Sequence, residues 1–141
     1  MKGRITRCSF VLFFLALFMF SCEQPRKEPG ATDQQPIQMT MKDLVGKTIE
    51  YRYGEDIYHV TIDNESEMHW EAMAGGEKGV LEEEHYKSEF INRQKLFITW
   101  GEANGIGVSQ VLDFEKGVVH NHLLRGRDIS IGKGEISILD N

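Results

Sequence analysis

From residue 47 to residue 139 the chain is a succession of short stretches with strand-like alternation, and none of it keeps a helical period. The stretches cover 47–53, 57–62, 67–74, 80–91, 94–101, 108–114, 118–125 and 128–139, separated by clusters of Gly, Asn and Asp. Connections this short leave room only for up-and-down neighbours. An antiparallel meander of eight strands closes into a small barrel, and closure removes the exposed edges. The expected fold class is all-β, an up-and-down β-barrel of about eight strands. One helical turn should precede it over 40–47, begun by Thr40 or Asp43 and stopped by Gly46.

Side chains two apart along a strand share a face, so alternation predicts the inner wall. Ile49, Tyr51 and Tyr53 fall on one side, opposite Thr48, Glu50 and Arg52. Tyr58, Val60 and Ile62 form a second inward set, and Met68, Trp70 and Ala72 a third. Leu96, Ile98, Trp100 and Glu102 form a fourth. The interior is thus rich in aromatics, which suits a barrel packed with its own side chains or one that encloses a small molecule. The stretch "VLEEEHYKSEF" carries charge on both faces and reads as an edge or a solvated lip.

The N-terminal segment is of another kind. Lys2, Arg4 and Arg7 precede an apolar run of twelve residues, 9–20, well short of the roughly 20 needed to span a bilayer. Ser21-Cys22 follows at once. This pattern resembles a bacterial lipoprotein signal, with cleavage before Cys22 and lipid on that cysteine. Residues 1–21 are then the signal peptide, and 22–38, which hold all three prolines, a polar tether. The folded domain is expected over 39–141. The only cysteines are Cys8 and Cys22, so that domain has no disulfide and no thiolate site. Loss of Lys2, Arg4 and Arg7 with the signal takes the formal charge from −6 to −9. With no basic patch, nucleic acid is excluded as a partner. The expected location is the bacterial cell envelope, anchored to the membrane through Cys22.

Three segments together resemble the MoaF-like family of lipocalin-like (calycin) barrels: "LVGKTIEYRYGEDIYHV", "FITWGEANG" and "VSQVLDFEKGVV". The family's W-x-E-A-x-G turn and D-F-x-x-G-x-V segment both occur. More distantly the chain resembles phenolic acid decarboxylase, a barrel enzyme. That resemblance implies that Tyr51, Tyr53 and Tyr58 would hold a substrate carboxylate and that Glu102 would handle a proton. The arginine which assists in that enzyme has no counterpart, and Val80 stands in its place.

Glu102 therefore has two available roles. It can face the interior as a general acid or a polar anchor, or it can close its strand by hydrogen bonding to the Asn104-Gly105 turn. His120 and His122 share a strand face and form a weak candidate metal pair, with His59, His69 or a carboxylate as the third ligand. The Gly75-Gly76 pair and the "GIG" of 105–107 lead into no helix and are not phosphate loops. No nucleophile elbow occurs, and the residues call for no cofactor. The function expected is binding of a small apolar or aromatic molecule by Tyr51, Tyr53, Tyr58, Trp70, Trp100 and Glu102. The alternatives are a cofactor-free carboxy-lyase acting through Tyr51, Tyr53 and Glu102, and a structural lipoprotein with a filled barrel.

Overall fold

The computed structural model describes residues 38–140; the expected signal peptide, Cys22 and all of the tether but its last residue lie outside them. A one-turn helix α1 (Met41–Leu44) leads into eight strands: β1 (Thr48–Tyr53), β2 (Asp56–Ile62), β3 (Glu67–Ala74), β4 (Leu81–Asn92), β5 (Lys95–Gly101), β6 (Ile106–Asp113), β7 (Val118–Arg125) and β8 (Asp128–Ile138). Each strand pairs antiparallel with the next, and β8 returns to β1 to close the barrel. The seam sets Ile49 opposite Ile138 and Tyr51 opposite Ile136. Eight strands in sequence order is the all-β barrel that the alternation predicts.

The inward sets fall as the alternation requires. Ile49 and Tyr51 on β1, Val60 and Ile62 on β2, and Met68, Trp70 and Ala72 on β3 are buried, as are Leu96 and Ile98 on β5. The charged strand β4 departs from expectation. It is neither an edge nor a lip, because it pairs with β3 along one side and β5 along the other. Its inner face carries Glu82, Glu84, Tyr86, Ser88 and Phe90, which are less exposed than the residues between them. Two glutamates therefore point into the barrel. Their solvation there is possible only because this part of the interior is not filled with apolar side chains.

The two ends of the barrel differ. At one end sit α1 and the β2–β3, β4–β5 and β6–β7 turns. The Asp43 carboxylate accepts from the Thr40 amide and hydroxyl, each at 2.7 Å, which marks Thr40 as the helix start. Gly46, with φ of 77°, ends the turn and donates to the Ile62 carbonyl at 2.7 Å. Met39 donates to the Arg93 carbonyl at 3.2 Å, which ties the lead-in to the β4–β5 turn. Leu44 is fully buried in the core with Ile49, Ile62, Leu96 and Leu112. This end is packed shut. The aromatic residues and the inward acids lie toward the other end, where the β1–β2, β3–β4, β5–β6 and β7–β8 hairpins gather.

Candidate functional site

Those hairpins surround a cavity of about 530 Å³, within the range typical of sites for small molecules. Tyr51, Tyr53, Tyr58, Trp70, Trp100 and Glu102, six residues spread over four strands and one turn, all line it. Four of the rings form a continuous chain of contacts. Tyr51 and Tyr53 stack with centroids 6.5 Å apart, Tyr53 meets Tyr58 edge-on at 6.4 Å, and Tyr58 meets Trp70 edge-on at 5.9 Å. Tyr53 can lie flat against the wall because Gly134 across the seam has no side chain. A β-carbon there would sit 2.6 Å from the Tyr53 ring.

The phenols are neutral. Burial raises the Tyr51 and Tyr53 hydroxyls far above their ordinary value, with the neighbouring phenol adding to the effect in each case. Tyr58 rises for the same first reason, helped by Glu77, which accepts from its hydroxyl at 2.9 Å. Gln110 reaches from β6 across the barrel to donate to the Tyr53 hydroxyl at 3.4 Å.

Glu102 faces the cavity and closes its turn at once. It lines the cavity, and its carboxylate accepts from Asn104 Nδ2 at 3.0 Å, while Asn104 Oδ1 accepts the Ile106 amide at 2.9 Å. The turn thereby fixes the carboxylate at the mouth of the barrel. Burial raises its pKa first, and the charges of Glu82 and Glu77 add to the rise, against the Asn104 bond and the nearby Trp100. The Trp100 indole lies near that carboxylate but makes no hydrogen bond of good geometry.

Sequence reasoning missed most of the polar members of this wall, Asp56 and Glu77 among them. Glu82, Gln110 and Asn121 line the cavity, and Glu84 lies one inward position beyond Glu82 on β4. Glu82 faces Trp70 across the β3–β4 pairing. The β4–β5 register sets Tyr86 opposite Trp100, and its continuation by two residues places Glu84 beside Glu102. The available signal for the two glutamates was their spacing from Tyr86 and Phe90, which share their face. For Gln110 and Asn121 the period of two sets each among apolar neighbours, Val108 and Leu112 on β6 and Val119 and Leu123 on β7, but what each one meets depends on barrel closure.

Other candidates stand apart from the cavity. Asn121 and Leu123 line it, so their neighbours His120 and His122 lie on the outer face of β7. His59 is engaged with Glu50 at 3.2 Å and His69 with Asp63 at 2.9 Å. Among the described residues no group of three or more His, Cys, Asp or Glu side chains is placed to hold a metal ion. Val80, at the position of the enzyme family's arginine, borders the cavity.

The acid cluster makes stability depend on pH in an uncommon direction. Glu84 is pushed up to about 7, first by burial, then by its hydrogen bond with Glu82 and by repulsion from Glu82 and Glu102, with His85 opposing. Its ordinary value is 4.5, so between 4.5 and about 7 the folded state holds a proton that the unfolded state has released. The contribution is complete below pH 4.5 and is lost as the pH rises to 7. The cavity is open to solvent, so screening limits the loss to about 1 kcal/mol. Thermal unfolding at pH 7.5 should therefore come about 5 °C below that at pH 5. Glu84→Gln should remove most of the difference, and an undiminished drop in that variant would show that the proton resides elsewhere.

Comparison with known proteins places this geometry. Among curated proteins no match is found. A crystal structure from Burkholderia vietnamiensis, provisionally described as a beta-lactamase, is similar at 22% identity with a TM-score of 0.63. The likeness covers 68% of this chain and 95% of that one, and at such identity it is a likeness of fold. The MoaF-like family model matches residues 45–137, from just before β1 to the last residue but one of β8. The segment it matches carries the barrel and every residue of the aromatic wall, and on this match the chain belongs to the MoaF-like family.

Proposed function

We propose that this protein is an exported, lipid-anchored barrel that holds a small, largely apolar or aromatic molecule at its open end. One observation carries the binding role. Among the described residues, five buried side-chain polar atoms lack a hydrogen-bond partner: Trp70 Nε1, Glu82 Oε2, Trp100 Nε1, Gln110 Oε1 and Asn121 Oδ1. All five belong to residues that line the same cavity. An unmet buried polar group costs about 1–3 kcal/mol, so five gathered on one wall are best understood as groups directed at a guest. The aromatic rings supply the apolar contact, and the polar atoms orient it.

A carboxy-lyase acting on an aromatic acid is less well supported. Its substrate carboxylate would rest on neutral phenols, with Val80 where the enzyme family has an arginine, and it would face Glu77, Glu82 and Glu102. A barrel filled by its own side chains is hard to reconcile with a cavity of this size. The anchor rests on the sequence of residues 1–22, and the same experiment can read it.

Native mass spectrometry of the full-length protein, released gently from the envelope in neutral detergent, should show a chain that begins at a lipid-modified Cys22. It should also show a reproducible small-molecule adduct. A mass beginning at Met1 would remove the anchor. A bare protein, still bare after exposure to aromatic compounds, would remove the binding role.

A further inference from the structure

The cavity's charge is one-sided. Asp56, Glu77, Glu82 and Glu102 line it, and among the described residues none of the four is ion-paired with a lysine or arginine. The basic residue bordering it is Lys133, which alternates with the inward Gly132 and Gly134 on β8 and lies opposite the outward His120. Its side chain therefore belongs to the outer face. Four carboxylates without a base repel one another, and the site gains from any guest that brings positive charge.

Three of the five unpartnered atoms are acceptors and point the same way, and those on Gln110 and Asn121 are independent of the acids. The other two are the indole N–H donors of Trp70 and Trp100, which lie beside Glu82 and Glu102. Gln110 lines the cavity and is only 7% exposed, and its Oε1 has no partner, while its Nε2 donates to the Tyr53 hydroxyl. Asn121 Oδ1 and Glu82 Oε2 are likewise acceptors without a donor. Three acceptors call for a guest that donates several hydrogen bonds. Trp70, 8% exposed, sits directly across from Glu82 and presents an aromatic wall at the same level. An aromatic face beside a carboxylate is a setting that attracts an organic cation through both its charge and its hydrocarbon body.

We propose that the open end of the barrel takes an organic ammonium ion, a primary or secondary amine on an aromatic or branched apolar body. Its ammonium group is set against Glu82 and Glu102, and its body lies between Trp70, Trp100 and Tyr58. This rests on the ligand-binding role proposed above and names the class of molecule. The ammonium hydrogens meet the carboxylates of Glu82 and Glu102. A carboxylate of the same shape is rejected by the four acids, which also explains why no arginine is needed on this wall.

The test uses three probes of one shape on the full-length protein in neutral detergent: 2-phenylethylammonium, 2-phenylethanol and 3-phenylpropionate. Calorimetric titration at pH 7.5 should show the ammonium probe bound at least tenfold more tightly than the alcohol, with affinity falling as salt rises, and no binding of the acid. Glu82→Gln should weaken the ammonium probe about tenfold more than it weakens the alcohol. Glu115→Gln, at an exposed turn on the opposite end, should change neither, and a folded far-ultraviolet spectrum of each variant guards against trivial loss. Equal binding of ammonium and alcohol, or preference for the acid, would overturn the charge assignment and leave the binding role intact. If no probe binds while the native protein carries an adduct from the envelope, the amine proposal alone falls. If the native protein is also bare, both fall.

Discussion

Leu44→Ala should lower the stability of the barrel by about 3 kcal/mol and its unfolding midpoint by roughly 10–20 °C. Leu44 is fully buried although it belongs to a helix of only four residues. A single turn has no stability of its own, because its hydrogen bonds do not repay the nucleation of a helix. The turn stays in place because Leu44 enters the core that holds Ile49, Ile62, Leu96 and Leu112, with Met39 and Met41 packed against that core. Truncation leaves a cavity at the closed end and frees the turn from the barrel. Val45→Ala is the control, since Val45 is 38% exposed and should change stability by less than about 0.5 kcal/mol. Thermal denaturation followed by circular dichroism measures both. A loss under about 1 kcal/mol for Leu44→Ala would mean that the strands close this end without the helix.

Gly134→Ala should cost a similar amount, about 3 kcal/mol, for the opposite reason. Leu44 is needed for what it fills, and Gly134 for what it leaves out. A β-carbon at Gly134 would lie 2.6 Å from the Arg52 carbonyl oxygen and from the Tyr53 ring. The carbonyl belongs to the β1–β8 seam and cannot yield without opening the barrel, so the strain falls on the backbone pairing itself. Tyr53 would also leave its position, and with it the Tyr53–Gln110 bond and the stack on Tyr51. Gly101→Ala makes the comparison, because a β-carbon at Gly101 would meet nothing within 4 Å and that change should be neutral within about 0.5 kcal/mol. A well-tolerated Gly134→Ala would show that the seam flexes, and the closed barrel would then hold the site less firmly than its pairing implies. Chemical denaturation of both variants decides between these outcomes.

Both substitutions act at places that a strand pattern does not single out. "TMKDLVGK" announces a turn of helix, yet nothing in those residues says that Leu44 plugs a barrel. Gly134 lies in a run, "IGKGEISI", whose glycines could equally mark a bend or a bulge.

What the sequence by itself determined is everything that depends on neighbours along the chain. The period of two placed Tyr51 with Tyr53, Met68 with Trp70 and Trp100 with Glu102 on inward faces, because side-chain direction in a strand follows from the backbone alone. The turn residues set the order and the antiparallel pairing, and the MoaF-like segments agreed with both. The same period held Glu82 and Glu84 on the face of Tyr86 and Phe90, where their charge suggested a solvated strand. Only the tertiary structure decided that this charged face looks inward, since burial of two glutamates is acceptable only beside an open cavity. It alone brought Gln110 to Tyr53, 57 residues away in sequence, and Asn121 to the same wall. It also decided that the barrel is packed at one end and open at the other. That division arises from where α1 docks and how far each strand is offset from the next, and both are properties of the closed sheet rather than of any segment within it.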